Sequence, residues 1–131
     1  MTYLLDTNIC IYIINTKPAH VIDRFNREQI GNIAISSITA AELAYGVAKS
    51  GSERNKQALE LFFVPLEILP LDETVIWKYG ETRAFLEKTG KVIGALDMII
   101  AAHALALDAI LVTNNIKEFR RVPDLRIENW V

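Results

Sequence analysis

The sequence has little cysteine and no excess of positive charge. Its single cysteine, Cys10, excludes an internal disulfide framework and cysteine-based zinc sites, and it fits a reducing compartment. Fourteen Lys and Arg against sixteen Asp and Glu give a net charge of −2, so the chain as a whole has no positive field for nucleic acid or an anionic membrane. If the protein binds nucleic acid, the affinity must come from a local group of residues and not from the overall charge.

Long hydrophobic runs are missing as well. The N-terminus lacks the basic stretch of a signal peptide, and the longest apolar run, residues 98–107, is too short to cross a bilayer. We therefore expect a cytoplasmic protein with no membrane partner. The 131 residues are 51% hydrophobic and 23% charged, which predicts one folded domain over residues 1–131.

Short apolar segments alternate with segments of helical spacing along the whole chain. The candidate strands are residues 3–5, 33–35, 66–71, 109–112 and 125–127. This alternation predicts an α/β fold, a three-layer α/β/α sandwich around a mainly parallel sheet of about five strands. In such a sheet the carboxyl end of each strand and the start of the next helix share one edge, so polar residues at those junctions converge.

Four polar residues occupy such junctions: Asp6, Glu42, Asp97 and Asn115. Each also has a purely structural interpretation. Asp6 and Asp97 are suitable helix caps, Glu42 completes a capping box that begins at Thr39, and Asn115 is an ordinary turn residue. Together, however, the carboxylates would repel one another. This repulsion would raise the pKa of at least one of these carboxyl groups unless a cation is present. Mg²⁺ relieves that repulsion with oxygen ligands and leaves positions for water and phosphate oxygens.

The motifs around these residues resemble those of the PIN-domain nucleases, and more narrowly the VapC toxins of bacterial toxin–antitoxin pairs. They are, in order, Leu5-Asp6-Thr7-Asn8, Ala41-Glu42-Leu43-Ala44-Tyr45-Gly46, Gly94-Ala95-Leu96-Asp97-Met98 and Thr113-Asn114-Asn115. The likeness runs from the first residue to the C-terminal segment that contains Trp130. It implies a PIN-like fold and an endoribonuclease that depends on Mg²⁺, with Mn²⁺ as a substitute.

The resemblance also implies roles for individual residues. Asp6, Glu42 and Asp97 become metal ligands, and Asn115 takes a fourth catalytic place where relatives carry Asp or Asn. Thr113 fits the hydroxyl neighbour of that place, and Asn8 belongs to the first motif. Neutral Asn115 departs from a fully acidic pattern and predicts weaker binding of a second ion, for which Glu118 is a candidate to compensate.

The expected reaction is hydrolysis of an RNA phosphodiester by in-line attack of a water molecule, with Glu42 as a candidate base. Family analogy suggests tRNA cut in the anticodon region, the initiator tRNA in particular, with inhibition of translation as the result. Because the net charge cannot supply affinity, local cations must, and the candidates just past Asn115 are Lys117, Arg120 and Arg121.

The segment 9–14 is apolar on every side of a predicted helix. One side can enter the core, and the other would be exposed unless a partner covers it. The resemblance implies a VapB-type antitoxin there, whose C-terminal segment would block the acidic pocket, and it implies a homodimer within a larger toxin–antitoxin assembly. The candidate groove residues are Ile9, Ile11, Tyr12 and Ile13.

Two alternatives stay open from the sequence. A phosphatase of the haloacid dehalogenase type also places an Asp after its first strand, but it needs a second Asp two residues later, where Asn8 stands. A catalytically inactive PIN scaffold that only binds RNA or antitoxin would keep the same acids as helix caps. A phosphoaspartate intermediate would reveal the first alternative, and a metal titration would separate the second from an enzyme.

Overall fold

The computed structural model describes residues 2–131. The strands are β1 (Tyr3–Leu5), β2 (Ile33–Ser36), β3 (Glu67–Leu69), β4 (Ile110–Val112) and β5 (Arg126–Glu128). The helices are α1 (Thr7–Ile14), α2 (Ala19–Arg27), α3 (Ser37–Ser50), α4 (Glu53–Phe63), α5 (Glu73–Lys88), α6 (Ala95–Leu107) and α7 (Ile116–Phe119). A single 3₁₀ turn, Ile30–Asn32, leads into β2.

The five strands form one parallel sheet in the order β3-β2-β1-β4-β5. Strand β1 is central, since Tyr3 pairs with Ile33 of β2 on one side and with Ile110 of β4 on the other. The chain builds one half of the sheet from β1 to β3 and the other from β4 to β5. The strand order therefore reverses beside β1, and in open α/β sheets this switch point at the carboxyl ends of the strands is where ligands bind.

Helices cover both faces of the sheet. Successive residues of a strand point to opposite faces, and Leu4 and Leu5 accordingly enter different cores. Leu5 packs with residues of α1, α2, α3 and α4, whereas Leu4 packs with residues of α5, α6 and α7. The prediction of a three-layer α/β/α sandwich with a parallel five-stranded sheet is confirmed.

Two expectations about helix caps were wrong in ways that affect the site. Helix α3 begins at Ser37, because the Ser36 hydroxyl caps it by accepting from the backbone N–H of Ile38 at 3.2 Å. The capping box from Thr39 to Glu42 is therefore absent in the described chain, and Glu42 lies in the second turn. Asp97 lies inside the first turn of α6 rather than ahead of the helix.

Two of the four candidate groove residues on α1 do not face outward. Ile9 and Ile13 are buried in the core together with Leu5 and Val21, so their assignment to a partner groove was wrong. Ile11 is 40% exposed. A helix that is apolar on all sides gives no indication of which side faces the sheet, and packing on the sheet decided it.

Among residues 2–131, no helix combines the length and the apolar character needed to cross a membrane.

Candidate active site

Asp6 lies where β1 ends, at the switch point of the sheet. Its backbone N–H donates to the carbonyl oxygen of Val112 at 3.0 Å, which ties it to the end of β4. Its Oδ1 accepts from the backbone N–H of Ile9 at 2.9 Å, so Asp6 also caps α1. The cap leaves room for the functional interpretation of Asp6, since it uses only part of the carboxylate's capacity to accept hydrogen bonds.

Some groups around Asp6 raise its pKa and others lower it. Burial raises the pKa of Asp6, hydrogen bonding from the Thr113 hydroxyl and the Ile9 N–H opposes this, and the charge of Glu42 raises it further. The net effect is a pKa above the ordinary value. A side chain only 5% exposed thus carries a charge that its environment only partly compensates.

Glu42 reaches the same edge from α3. Its Oε1 accepts a hydrogen bond of 3.0 Å from the hydroxyl of Thr7, the residue that follows Asp6. This contact joins the start of α1 to the second turn of α3. Thr7 was not singled out from the sequence, because a threonine beside a helix cap is common and its partner lies 35 positions away.

Asp97 completes the acidic group from α6. Burial raises its pKa, and the charges of Asp6, Glu118 and Glu42 raise it further, in that order. The repulsion between two charges falls as the distance between them grows. Asp6, Glu42 and Glu118 therefore lie near enough to Asp97 for their charges to act on its pKa.

The turn after β4 links Asp6 to the fourth predicted residue. The buried Thr113 hydroxyl accepts from the backbone N–H of Asn115 at 2.9 Å while it also acts on Asp6. The amide nitrogen of Asn115 donates to Oε2 of Glu118 at 3.3 Å. Thr113, Asn115 and Glu118 thus form one connected set beside the acids. Asn8, the last residue of the first motif, is exposed.

The donor chemistry fits a hard divalent cation. The site offers carboxylate oxygens from three elements and the amide of Asn115, which are ligands suited to Mg²⁺ or Mn²⁺. Within residues 2–131, no three Asp, Glu, His or Cys side chains stand close enough together to hold a metal ion by themselves. An open arrangement is compatible with Mg²⁺, which keeps several waters and rarely sits in a cage made only of protein.

The three cationic residues predicted to contact RNA differ in solvent exposure and in hydrogen bonding. Lys117 and Arg120 are exposed on or beside α7. Arg121 is partly buried, and its Nη1 donates to the carbonyl oxygen of Val92 at 3.1 Å. Lys117 and Arg120 are therefore better placed to meet a phosphate than Arg121.

An apolar groove opens from the acidic site between three helices. Ile11 and Ile14 of α1 line one side, and Glu42 stands among the lining residues. The other side is formed by residues of α3 and α4 that were not selected from the sequence, which are Leu43, Gly46, Val47, Asn55, Ala58 and Leu59. The apolar spacing of Leu43 and Val47 was visible in the sequence, but it equally suited a core. Tyr12 is partly buried, and its hydroxyl accepts from the Asn114 side chain at 3.1 Å.

Comparison with known proteins decides the family. The PIN domain model matches residues 3–125. This chain belongs to the PIN-domain family. The match covers every element from β1 to the turn before β5, and it decides against the alternative of a haloacid dehalogenase-type phosphatase.

Within the PIN-domain family, the relatives are VapC proteins of nearly equal length. The chain is 49% identical over 132 residues to the protein named ribonuclease VapC2 of Rickettsia felis, with 99% of this chain and 98% of the relative covered. It is 44% identical over 131 residues to a Shigella flexneri protein named tRNA(fMet)-specific endonuclease VapC, with 99% and 98% covered. The predicted resemblance to the VapC toxins is confirmed.

Solved structures agree with this assignment. This PIN domain superposes on a chain of VapBC2 from Rickettsia felis, bound to a promoter DNA fragment, with a TM-score of 0.93, 48% identity and complete coverage of both chains. A chain of DNA-bound VapBC from Salmonella typhimurium gives a TM-score of 0.94 at 42% identity, with 100% and 99% covered. Both are structures of toxin–antitoxin complexes.

Proposed function

We propose that this chain is a single PIN domain and acts as a metal-dependent endoribonuclease toxin that a VapB-type antitoxin neutralises. The observation that carries the proposal is the grouping of Asp6, Glu42 and Asp97 at the switch point of the parallel sheet, where burial and the neighbouring carboxylates raise the pKa of Asp6 and of Asp97. Buried carboxylates that repel one another weaken a fold, and a bound cation removes that repulsion.

Asp6, Glu42 and Asp97, with the amide of Asn115, would hold a Mg²⁺ or Mn²⁺ ion. When bound, such an ion supplies a water of lowered pKa and offsets the charge that develops on the phosphate. The protein's own groups prepare the site for it. The Ile9 N–H and the Thr113 hydroxyl favour the ionised form of Asp6, and Thr7 holds Oε1 of Glu42. The other oxygen of Glu42 is our candidate to accept the proton of the attacking water.

The substrate we propose is tRNA, cleaved in the anticodon region, with the initiator tRNA as the first candidate. Relatives from Shigella flexneri and Salmonella typhimurium, at 44% and 43% identity, carry the name tRNA(fMet)-specific endonuclease. Because the chain has a net charge of −2, RNA affinity must come from the ion together with exposed cations near Asn115. Lys117 and Arg120 have the exposure for that role.

The antitoxin we propose lies in the apolar groove between α1, α3 and α4. Ile11 gives the groove an exposed apolar side chain, and Glu42 places the acidic site at its border. A segment bound there would cover the catalytic carboxylates. The VapBC structures to which the chain is similar support a VapB-type partner, and we expect a toxin homodimer within that assembly.

RNA cleavage by the purified chain tests the proposal. We expect cleavage of tRNA with Mg²⁺ or Mn²⁺, none after chelation, and none with Asp6→Asn, since the amide keeps the helix cap but removes the charge. Asp23→Asn, an acid of α2 outside the site, is the matched control and should cleave normally. Cleavage that survives chelation, or full activity of Asp6→Asn, would contradict the proposal. A wild-type chain that neither binds Mn²⁺ nor cuts RNA would establish an inactive scaffold.

A further inference from the structure

The Asn115 side chain does not behave as its position in the fold would lead one to expect. Asn115 is the N-cap residue of α7, where an Asn side chain usually accepts a hydrogen bond from the first turn of the helix. In the described chain it makes no such cap bond. Its amide nitrogen instead donates to Oε2 of Glu118 at 3.3 Å.

Glu118 likewise departs from the usual capping arrangement. It is the third residue of α7, and in a capping box its carboxylate would accept from the backbone N–H of the N-cap residue. That N–H of Asn115 is already bound to the Thr113 hydroxyl at 2.9 Å. Glu118 is therefore available to bind the Asn115 amide group instead.

We infer that Glu118 is a positioning residue, which turns the Asn115 carboxamide so that its oxygen, and not its NH₂ group, is offered to a cation held by the acidic site. An ionised carboxylate only accepts hydrogen bonds, so it can bind the amide nitrogen and not the amide oxygen. In a planar amide the oxygen then faces away from Glu118. A cation is bound by the oxygen of a carboxamide, and an NH₂ group turned toward it would repel it.

The location of the pair supports this role. Glu118 lies close enough to Asp97 for its charge to act on that carboxylate. Asn115 is joined through Thr113 to Asp6. The pair thus stands beside two of the proposed ligands. Orientation by Glu118 is needed only because the fourth position is Asn. An Asp has two equivalent oxygens and needs no such partner.

The inference rests on the proposed function, and a double-mutant cycle separates the two. We would measure the Mn²⁺ dissociation constant of the RNA-free chain by calorimetry for the wild type, Glu118→Ala, Asn115→Asp and the double variant. Asp6→Asn identifies binding at the acidic site, and the exposed Glu87→Ala on α5 controls for loss of one negative charge. Thermal melting without metal checks that each variant folds.

Glu118→Ala should weaken Mn²⁺ binding about 10-fold to 100-fold, as expected when a partner of a metal ligand is removed. In the Asn115→Asp background, the same substitution should change binding by less than about 3-fold, because the carboxylate needs no orienting partner. The rate of RNA cleavage should follow the same pattern of loss and rescue.

Equal losses in the two backgrounds would overturn the inference, since Glu118 would then act through its own charge or as a ligand. No loss in either background would overturn it as well. These results leave the proposed function intact provided that the wild type binds Mn²⁺ and Asp6→Asn does not. A wild-type chain without Mn²⁺ binding at the acidic site would overturn both.

Discussion

The Thr7 hydroxyl donates a hydrogen bond of 3.0 Å to Oε1 of Glu42, across 35 positions of the chain. It explains why Glu42 serves the site and not the end of its own helix, which Ser36 caps. The bond also joins α1 and α3, whose side chains line the apolar groove. A single hydrogen bond therefore positions a carboxylate of the proposed active site, and it lies at the border of the surface proposed for the antitoxin.

Thr7→Val should lower RNA cleavage without unfolding the chain. Valine matches the shape of threonine but cannot donate, so Glu42 loses a fixed orientation and its Oε1 loses a partner. We expect a loss of about 10-fold to 100-fold in the cleavage rate or in Mn²⁺ affinity, typical for residues that orient metal ligands. Thr7→Ser should keep most of the activity because it restores the hydroxyl. Thr74→Val on exposed α5 is the control, and equal activity of Thr7→Val and the wild type would contradict this role.

Asp97→Asn should stabilise the metal-free chain at neutral pH. Burial and the charges of Asp6, Glu118 and Glu42 raise the pKa of Asp97 above its unfolded value, so the folded state binds the proton more tightly than the unfolded state. The free energy of unfolding should therefore fall as the pH rises from the pKa of Asp97 in the unfolded chain to its pKa in the folded chain. Above that range the full destabilisation by ionised Asp97 is present. Asparagine removes this cost.

Thermal melting with chelator at several pH values measures the effect. Asp97→Asn should melt above the wild type at pH 7, with the difference shrinking toward acidic pH. Mn²⁺ should reverse the order, because a ligand at 100 times its dissociation constant stabilises the wild type by about 2.7 kcal/mol. An Asp97→Asn variant that melts below the wild type in chelator would be evidence against this account.

Ile11→Glu should weaken antitoxin binding while sparing RNA cleavage. Ile11 is 40% exposed and lines the groove, so a partner would bury the rest of it. Full burial of an isoleucine side chain contributes about 1.5–3 kcal/mol, so burial of the exposed 40% of Ile11 contributes about 0.6–1.2 kcal/mol, or about 3-fold to 7-fold in affinity. The unpaired charge of a buried Glu adds to this loss. Ile76→Glu, at the 60% exposed Ile76 of α5, is the control. Binding of a VapB-type antitoxin to both variants is compared by titration, and equal affinities would place the partner elsewhere.

Lys117→Gln with Arg120→Gln should weaken RNA binding without changing its sequence preference. Cations that bind phosphate contribute to affinity for every sequence and release counterions on binding. The slope of log affinity against log salt should become shallower by about 1 for each of the two cations that binds a phosphate in the wild type. Lys88→Gln at the exposed end of α5 is the control. An unchanged salt slope in the double variant would remove these two residues from the RNA surface.

The sequence was sufficient for the fold class and for selecting most residues of the proposed site. Apolar strands such as 3–5 and 109–112 and the helices between them are local patterns, and a parallel sheet with helices on both faces follows from them. The rule that strand ends share an edge then placed Asp6 and Asn115 near one another. The motif resemblance added Asp97, which no strand precedes and which periodicity could not place.

The tertiary structure alone decided which side chains meet. Helix α1 is apolar around its whole circumference, so only packing could bury Ile9 and Ile13 and leave Ile11 at the groove. The Thr7 to Glu42 bond spans 35 residues and leaves no local trace. The Asn115 amide could have capped its own helix, and it binds Glu118 because the Thr113 hydroxyl takes the backbone N–H that Glu118 would otherwise accept from. Sequence patterns report the chain's local preferences, whereas these hydrogen bonds and packing choices depend on which of several acceptable partners the folded chain brings within reach.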